Sequence, residues 1–470
     1  MDRIDLFFDD LLDDRGGAIA AAMAAGWDYL AGTGTESLLS RVGETIDTLP
    51  TAAFPDKRWF QKSYGRSVTD KPDDYLIGDG LFYLTEQRRL FLDCTGGHYQ
   101  MTWGYEHPAL TALLLDGIRR GVVWDNHSNI PSAPVKRLAG KLVELANPDA
   151  DMAALQGDGE RLNTVLLGTA TGTVACGAAL KIALRIYEQN KSEHGAPVFV
   201  TLDGNYHGTD VFAQHLRGMW DQYFTNVESV RVQPNDAQEL EEVFGRYGQR
   251  IAAFMCEPIM MNREAIPLEP WYLQLCRRLT DNVGAPLIVD EIQTGFWYPE
   301  VLMYKRFGIE PDMVVLGKGM TAGLHPLSAL LYKGKFDCLE QYDAISTNGN
   351  AALAALNALG CIELIERNAR QIGEVGEYYY GRIVELAEQF PGVIAQARGA
   401  GHMSGMKFHR VEDALEFHRR AVDAGLWLRV HAYHEGHSTC LTKFGLLLDT
   451  QVADFAVGRY SALLSELSGA

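Results

Sequence analysis

From about Asn163 onward the chain alternates between short apolar runs and helix-patterned stretches. The runs TVLLGTA, PVFVTLDG, VESVRVQP, IAAFMCEP, PLIVDEIQ, MVVLGKG and LSALLYKG are brief, largely β-branched or aliphatic, and bounded by turn residues. That pattern predicts strands buried on both faces. Helical periodicity separates several of them, most plainly in GTVACGAALKIALRIYEQN. Such strands, divided by helices, predict a parallel sheet covered on both sides. In a sheet of this kind ligands sit beyond the C-terminal strand ends.

The flanks read differently. Residues from about Met1 to Leu49 look helical and acidic, and Pro50 and Pro55 mark a break. A β-rich stretch follows (DYLIGDGLFYL, then RRLFLDCTGG), and helical patterns begin after Pro108 and Pro134. After Phe336 the chain reads as two helices, AALAALNALGCIELIERN and EYYYGRIVELAEQF, and ends in strand-like runs including HMSGMKFH and CLTKFGLLLD. We therefore expect an N-terminal helical extension (1–49), a large domain (121–336) and a smaller α+β domain drawn from both chain ends (50–120 and 337–470). A chain of 470 residues exceeds what one core usually holds, which supports the division.

Composition narrows the function. A net charge of −19 argues against a nucleic-acid surface or an anionic-membrane partner. The cysteines, seven in all, are scattered and lack a CxxC pair, which points to reduced thiols in a cytoplasmic protein. The opening MDRIDLFFDDLLDDRGG is acidic, unlike a signal peptide, and AIAAAMAAGWDYLAG is too short to span a bilayer.

Candidate chemistry lies at the strand ends. Asp290 closes PLIVDE and Lys318 closes MVVLGKG. A buried carboxylate and a buried amine each need a partner. Taken alone, a plain salt bridge is the simpler account of the pair. Pyridoxal phosphate offers another: it needs a lysine to hold its aldehyde as a Schiff base and an acid beside its pyridine nitrogen. Three further segments fall on the same rim. Thr171-Gly172-Thr173 joins a strand to a helix, a place suited to a phosphate or to an ordinary cap. Tyr206, in NYHG, suits stacking on a flat ring or packing in a core. Glu257, before Pro258, suits function or a structural ion pair equally. Gln293 offers a donor to a ring hydroxyl.

Together these segments resemble the class III pyridoxal-phosphate-dependent aminotransferases, of the aspartate-aminotransferase-like type I fold. RLFLDCTGGHYQMTWGYEHPAL, VLLGTATGTVACGAALKIAL, NYHG, EP, PLIVDEIQTGF, EPDMVVLGKGM and STNGNAALAALNAL occur in the family's order. The resemblance implies an α/β fold with a mostly parallel seven-stranded sheet, pyridoxal 5'-phosphate as cofactor and no metal. It implies Lys318 as the Schiff-base lysine, Asp290 on the pyridine nitrogen, Gln293 on the ring hydroxyl and Tyr206 on the ring face. Thr171, Gly172 and Thr173 would hold the phosphate. Ser346 or Thr347 would reach the phosphate of the other subunit in a homodimer with shared active sites. The implied reaction moves an amino group from an amine or amino-acid donor to a ketone or aldehyde acceptor. Epimerisation, racemisation or an amino shift within one molecule uses the same cofactor contacts and stays open. A member that binds without catalysis would lack Lys318, which is present.

Departures from the family bear on substrate. Val174 occupies the position of a usual glutamate, GFWYPE replaces GFGRTG, and Thr442-Lys443 stand where many members carry a carboxylate-binding arginine. Asn262 replaces the glutamate that shields that arginine. Lys443, Arg263 and Arg429 are candidate substitutes for it. Trp103, Trp297 and Tyr298 suit either an aromatic pocket or simple packing. His431, His434 and His437 read as a polar surface segment rather than metal ligands.

Overall fold

The computed structural model describes residues 17–52, 74–125, 130–344, 346–431 and 436–469. The chain divides into two compact units. Of the described residues, those within 99–102 and 108–374 form one, and those within 1–98, 103–107 and 375–470 form the other.

The first unit is built on the seven apolar runs, all of which form strands. They are β1 (Leu162–Thr169), β2 (Val198–Leu202), β3 (Glu228–Val232), β4 (Ile251–Cys256), β5 (Leu287–Asp290), β6 (Met313–Leu316) and β7 (Ser328–Lys333). Their spatial order is β1-β7-β6-β5-β4-β2-β3. The pairs β6–β5, β5–β4, β4–β2 and β2–β3 are parallel. Strand β7 runs antiparallel to both neighbours, Ser328 lying opposite Thr169 of β1 and Leu331 opposite Val314 of β6. The sheet is thus mostly parallel, with one reversed strand that the apolar run LSALLYKG did not distinguish from the rest. Strands β5 and β6 are buried along their whole length, as a sheet covered on both faces requires.

Helix α1 (Gly172–Lys191) covers one face with a strip that includes Ala175, Ala178, Ala179 and Ala183. These small side chains let the helix lie close to Phe199, Met255, Ile288 and Val315. A second, short helix, α2, spans Val211–Leu216. The segment read as two helices after Phe336 is one continuous helix, α3 (Ala352–Gln389), which passes from the first unit into the second after Glu374. Its polar middle, ERNARQIGE, contains no proline and gives no physical cause for a break.

The second unit holds two four-stranded sheets. In one, Tyr75–Asp79, Phe82–Thr85 and Leu90–Asp93 form a meander whose last strand pairs in parallel with Leu426–Trp427. In the other, Ile394–Ala400, Met403–Phe408, Thr439–Lys443 and Arg429–Val430 are antiparallel. The chain does not end in strands. Its last element is the helix Thr450–Ser468, whose buried Val452, Ala456, Tyr460 and Leu463 recur at helical spacing. Within residues 1–49 the structure has a helix at Ala18–Gly32; residues 1–16 and Pro55 lie outside the described residues.

Candidate active site

All the rim residues expected from the sequence, apart from the pair Ser346 and Thr347, follow directly from strand ends of the large sheet. Asp290 is the last residue of β5, and Glu257 follows β4. Tyr206 follows β2 after a turn, Lys318 follows β6 after Gly317, and Thr171 follows β1 as the N-cap of α1. Parallel direction puts these five ends on one side of the sheet. Strand β7, being antiparallel, brings its first residue to the same side; the Ser328 and Thr169 hydroxyls lie 2.9 Å apart there.

The carboxylate of Asp290 is 3% exposed and heavily hydrogen-bonded. Its Oδ2 lies 2.8 Å from His207 Nδ1 and accepts from the Cys176 thiol at 3.4 Å; its Oδ1 accepts from the Ile292 N–H at 3.0 Å. His207 and Cys176 were not assigned roles from sequence. Nothing in the spacing of Tyr-His-Gly or of the α1 helix names Asp290 as the shared partner. Burial pushes the Cys176 thiol well above its ordinary value, and the neighbouring Asp290 charge adds to this. A protonated thiol is a donor to the carboxylate rather than a metal ligand.

Glu257 is buried, and its Oε1 accepts from the Tyr206 N–H at 2.8 Å. Its Oε2 finds no hydrogen-bond partner among the described residues. Burial first, with the Asp290 charge adding, pushes its carboxyl up to about 7. Gln293 donates from Nε2 to Asn262 Oδ1 at 3.0 Å, so the residue standing in the place of the shielding glutamate orients a candidate cofactor contact. Next to Asp290, Glu291 accepts from the Met303 and Tyr304 backbone N–H groups and fixes the GFWYPE loop; burial pushes this acid up to about 8. Trp297 and Tyr298 are buried, and Tyr298 carries the Arg306 guanidinium 5.0 Å above its ring.

Two glycines mark close approaches. A Cβ on Gly172 would come within 2.4 Å of Ile292 Cδ1. At Gly208, with φ +118°, a Cβ would come within 2.6 Å of Thr173 Oγ1. Thr171 caps α1 without a side-chain hydrogen bond, and the first turn of the helix contains no acid. Lys318 itself has φ +42°, in the left-handed region. Its Nζ lies 6.0 Å from the centroid of the Tyr206 ring.

A family model for the class-III aminotransferases matches residues 74–435 of this chain. The chain belongs to that family. Among its relatives is a putrescine aminotransferase of Pectobacterium atrosepticum, 26% identical over 70% of this chain and 69% of the relative. An acetylornithine aminotransferase of Xylella fastidiosa is 30% identical over 70% of this chain and 77% of its own length. A glutamate-1-semialdehyde 2,1-aminomutase of Thermomicrobium roseum is 29% identical over 60% and 61%. The fold is shared with solved structures. The ornithine aminotransferase of Toxoplasma gondii superimposes with a TM-score of 0.74 at 22% identity, over 88% of this chain and 94% of that one. An aminotransferase of Vibrio fluvialis, solved in a PMP-bound form, gives 0.75 at 19% identity over 89% and 99%.

This class III aminotransferase is therefore pyridoxal-phosphate-dependent. The donor set fits that cofactor. A helix start without acids suits its phosphate, and the buried, hydrogen-bonded Asp290 carboxylate suits a ring nitrogen. Tyr206 and Lys318 meet on that rim, the amine 6.0 Å from the ring centroid, which suits a flat ring bearing an aldehyde. Ser346 is tied to its own chain: its Oγ donates to Gly168 O at 3.1 Å and accepts from the Ala170 N–H at 3.2 Å. Thr347 is exposed. Of the candidate carboxylate-binding cations, Arg263 pairs with Asp203 and donates to Gln233 Oε1 at 2.9 Å. Arg429 donates to His431 Nε2 at 2.8 Å and contacts His98. Lys443 is wholly buried in its strand in the second unit, and Trp103 is buried there against His107. His434 lies outside the described residues.

Proposed function

We propose that this aminotransferase works through Lys318 on the rim of the large sheet, taking an amine or amino acid as donor and a ketone or aldehyde as acceptor. The observation that carries this reading is the placement of the Lys318 amine 6.0 Å from the Tyr206 ring, on a rim shared with Asp290 and the α1 N-terminus. When bound, pyridoxal phosphate supplies an aldehyde for an amine and a ring that draws electrons from the carbon bearing that amine.

The protein's own residues do the rest. Lys318 Nζ would hold the cofactor's aldehyde carbon. Its free amine would be the base that moves a proton at the donor carbon. Asp290, held by His207 and Cys176, would keep a proton on the ring nitrogen. Gln293, oriented by Asn262, would donate to the ring hydroxyl oxygen. Tyr206 covers one ring face, and Glu257 fixes the Tyr206 backbone. Thr171, Gly172 and Thr173 would bind the phosphate. We further propose a homodimer with shared sites, in the cytoplasm. All seven cysteines are free, six of them buried, which suits a reducing compartment. No helix among the described residues is long and apolar enough to cross a membrane.

Lys318→Ala tests the assignment: the purified protein should lose both its yellow absorption and all turnover. Retained turnover would sink it. Kinship with aminomutases motivates a second measurement, the products formed from one amine without an acceptor. One equivalent of oxo-product per site supports transfer between molecules; an isomerised amine alone supports the amino-shift reading.

A further inference from the structure

Arg217 is the C-terminal cap of α2 and was not singled out by the sequence. Its guanidinium carbon lies 5.7 Å from the centroid of the Tyr206 ring, and Lys318 Nζ lies 6.0 Å from the same point. The two cations are therefore no farther apart than those two distances laid end to end. Arg217 is only partly exposed, yet among the described residues it has no carboxylate within ion-pairing distance.

The nearest acids in sequence are already committed. Asp210 caps α2, accepting from the Phe212 and Ala213 N–H groups at 2.8 and 3.1 Å. Asp221 meets His215 Nδ1 at 2.8 Å and Arg231 at 3.7 Å. The segment is also packed against its neighbours, the His215 ring stacking on Phe224 with centroids 4.3 Å apart and planes 7° apart. A half-buried guanidinium that flanks the same ring as the Lys318 amine, and without an acid, is a vacant anion partner. Arg263 and Arg429, by contrast, are each engaged elsewhere.

We propose that Arg217 binds the carboxylate of the donor, so that the substrates of this enzyme are amino acids and not neutral amines. This rests on the site reading above, with the donor amine presented to Lys318. The planar guanidinium can take both carboxylate oxygens, which fixes the distance between the amine and the acid in a preferred donor.

The test uses the holoenzyme and paired donors of equal chain length: alanine with ethylamine, β-alanine with propylamine, 4-aminobutyrate with butylamine, and 5-aminovalerate with pentylamine. Glutarate, which carries no amine, serves as a binding probe by calorimetry. In Arg217→Gln the KM for the best amino acid should rise about 10- to 100-fold, as expected for a lost charged hydrogen-bond pair. Its kcat, and the KM of the matched alkylamine, should stay within about twofold. Glutarate binding should weaken by a similar factor, and Arg217→Lys should restore part of both. Equal losses for the amino acid and its alkylamine, or no loss for either, would overturn the proposal; the first would leave Arg217 as a support for Tyr206. A wild-type enzyme inert to every amine would instead sink the Lys318 reading, and glutarate titration would still report on Arg217.

Discussion

Glu257 shows how one side chain couples burial to pH. Its carboxyl is wholly enclosed, with one oxygen on the Tyr206 N–H and the other without a partner among the described residues. Burial raises it from an ordinary carboxylate value to about 7. A raised acid favours the protonated folded state. Its contribution to stability is fully present below the unfolded value near 4.5 and is lost as pH rises through 7. Glu257→Gln stays neutral and keeps an oxygen for Tyr206. The cofactor-free variant should therefore match the parent near pH 4 and exceed it at pH 8, by roughly 3 kcal/mol. Urea midpoints across that range measure the difference. Glu291, raised to about 8, is present in both proteins and cancels. A difference independent of pH would show that the Glu257 carboxylate is ionised throughout. The same residue marks a limit of sequence reading: Glu-Pro at a strand end suggested a buried acid, but not that one of its oxygens stays open.

Among elements, all seven strands of the large sheet were legible in the sequence, most plainly those whose burial is uniform. Strands β4, β5 and β6 are enclosed on both faces, so their apolar runs are unbroken and their polar ends stand out as Glu257, Asp290 and Lys318. The direction of β7 was not legible, because a strand buried on both faces reads alike whichever way it runs. The C-terminal helix was missed because alanines occupy part of its buried stripe and thin out the apolar signal. His207 and Cys176 were invisible as partners of Asp290, since only the sheet brings β2, α1 and β5 together. Close approach of elements is likewise a three-dimensional fact, and one substitution made at two sites exposes it. A Cβ on Gly349 would sit 2.3 Å from the Gly168 carbonyl carbon at the end of β1, where backbone cannot yield. On Gly177, inside α1, a Cβ meets nothing within 4 Å. Gly349→Ala should cost about 3 kcal/mol. Gly177→Ala should stabilise by about 1 kcal/mol through helix propensity. Thermal unfolding of the two variants should move in opposite directions; a shared sign would refute the packing argument.

At the scale of the whole molecule, the proposed homodimer asks one residue to cross between subunits. Ser346 and Thr347 were equivalent in the sequence, one position apart in register. The fold separates them. The Ser346 hydroxyl and N–H are both spent on its own β1 terminus, at Gly168 and Ala170. Thr347 is exposed and lacks a hydrogen-bond partner among the described residues. In the proposed homodimer Thr347 is thus the residue available to the other subunit's phosphate. A hydrogen bond to a charged group contributes about 1.5–3 kcal/mol, so Thr347→Ala should weaken cofactor retention by at least about tenfold. Two crippled chains then decide between subunits. Lys318→Ala chains keep Thr347, and Thr347→Ala chains keep Lys318. If Thr347 acts across the interface, a mixed dimer contains one site with both residues intact. Unfolding the two variants together and refolding them should then restore tight cofactor binding and turnover at that site. If Thr347 serves its own chain, every site in the mixture lacks one residue or the other, and mixing restores nothing. Sedimentation should show a particle of twice 52.1 kDa in each preparation, and a monomer that retains full activity would exclude the shared site altogether.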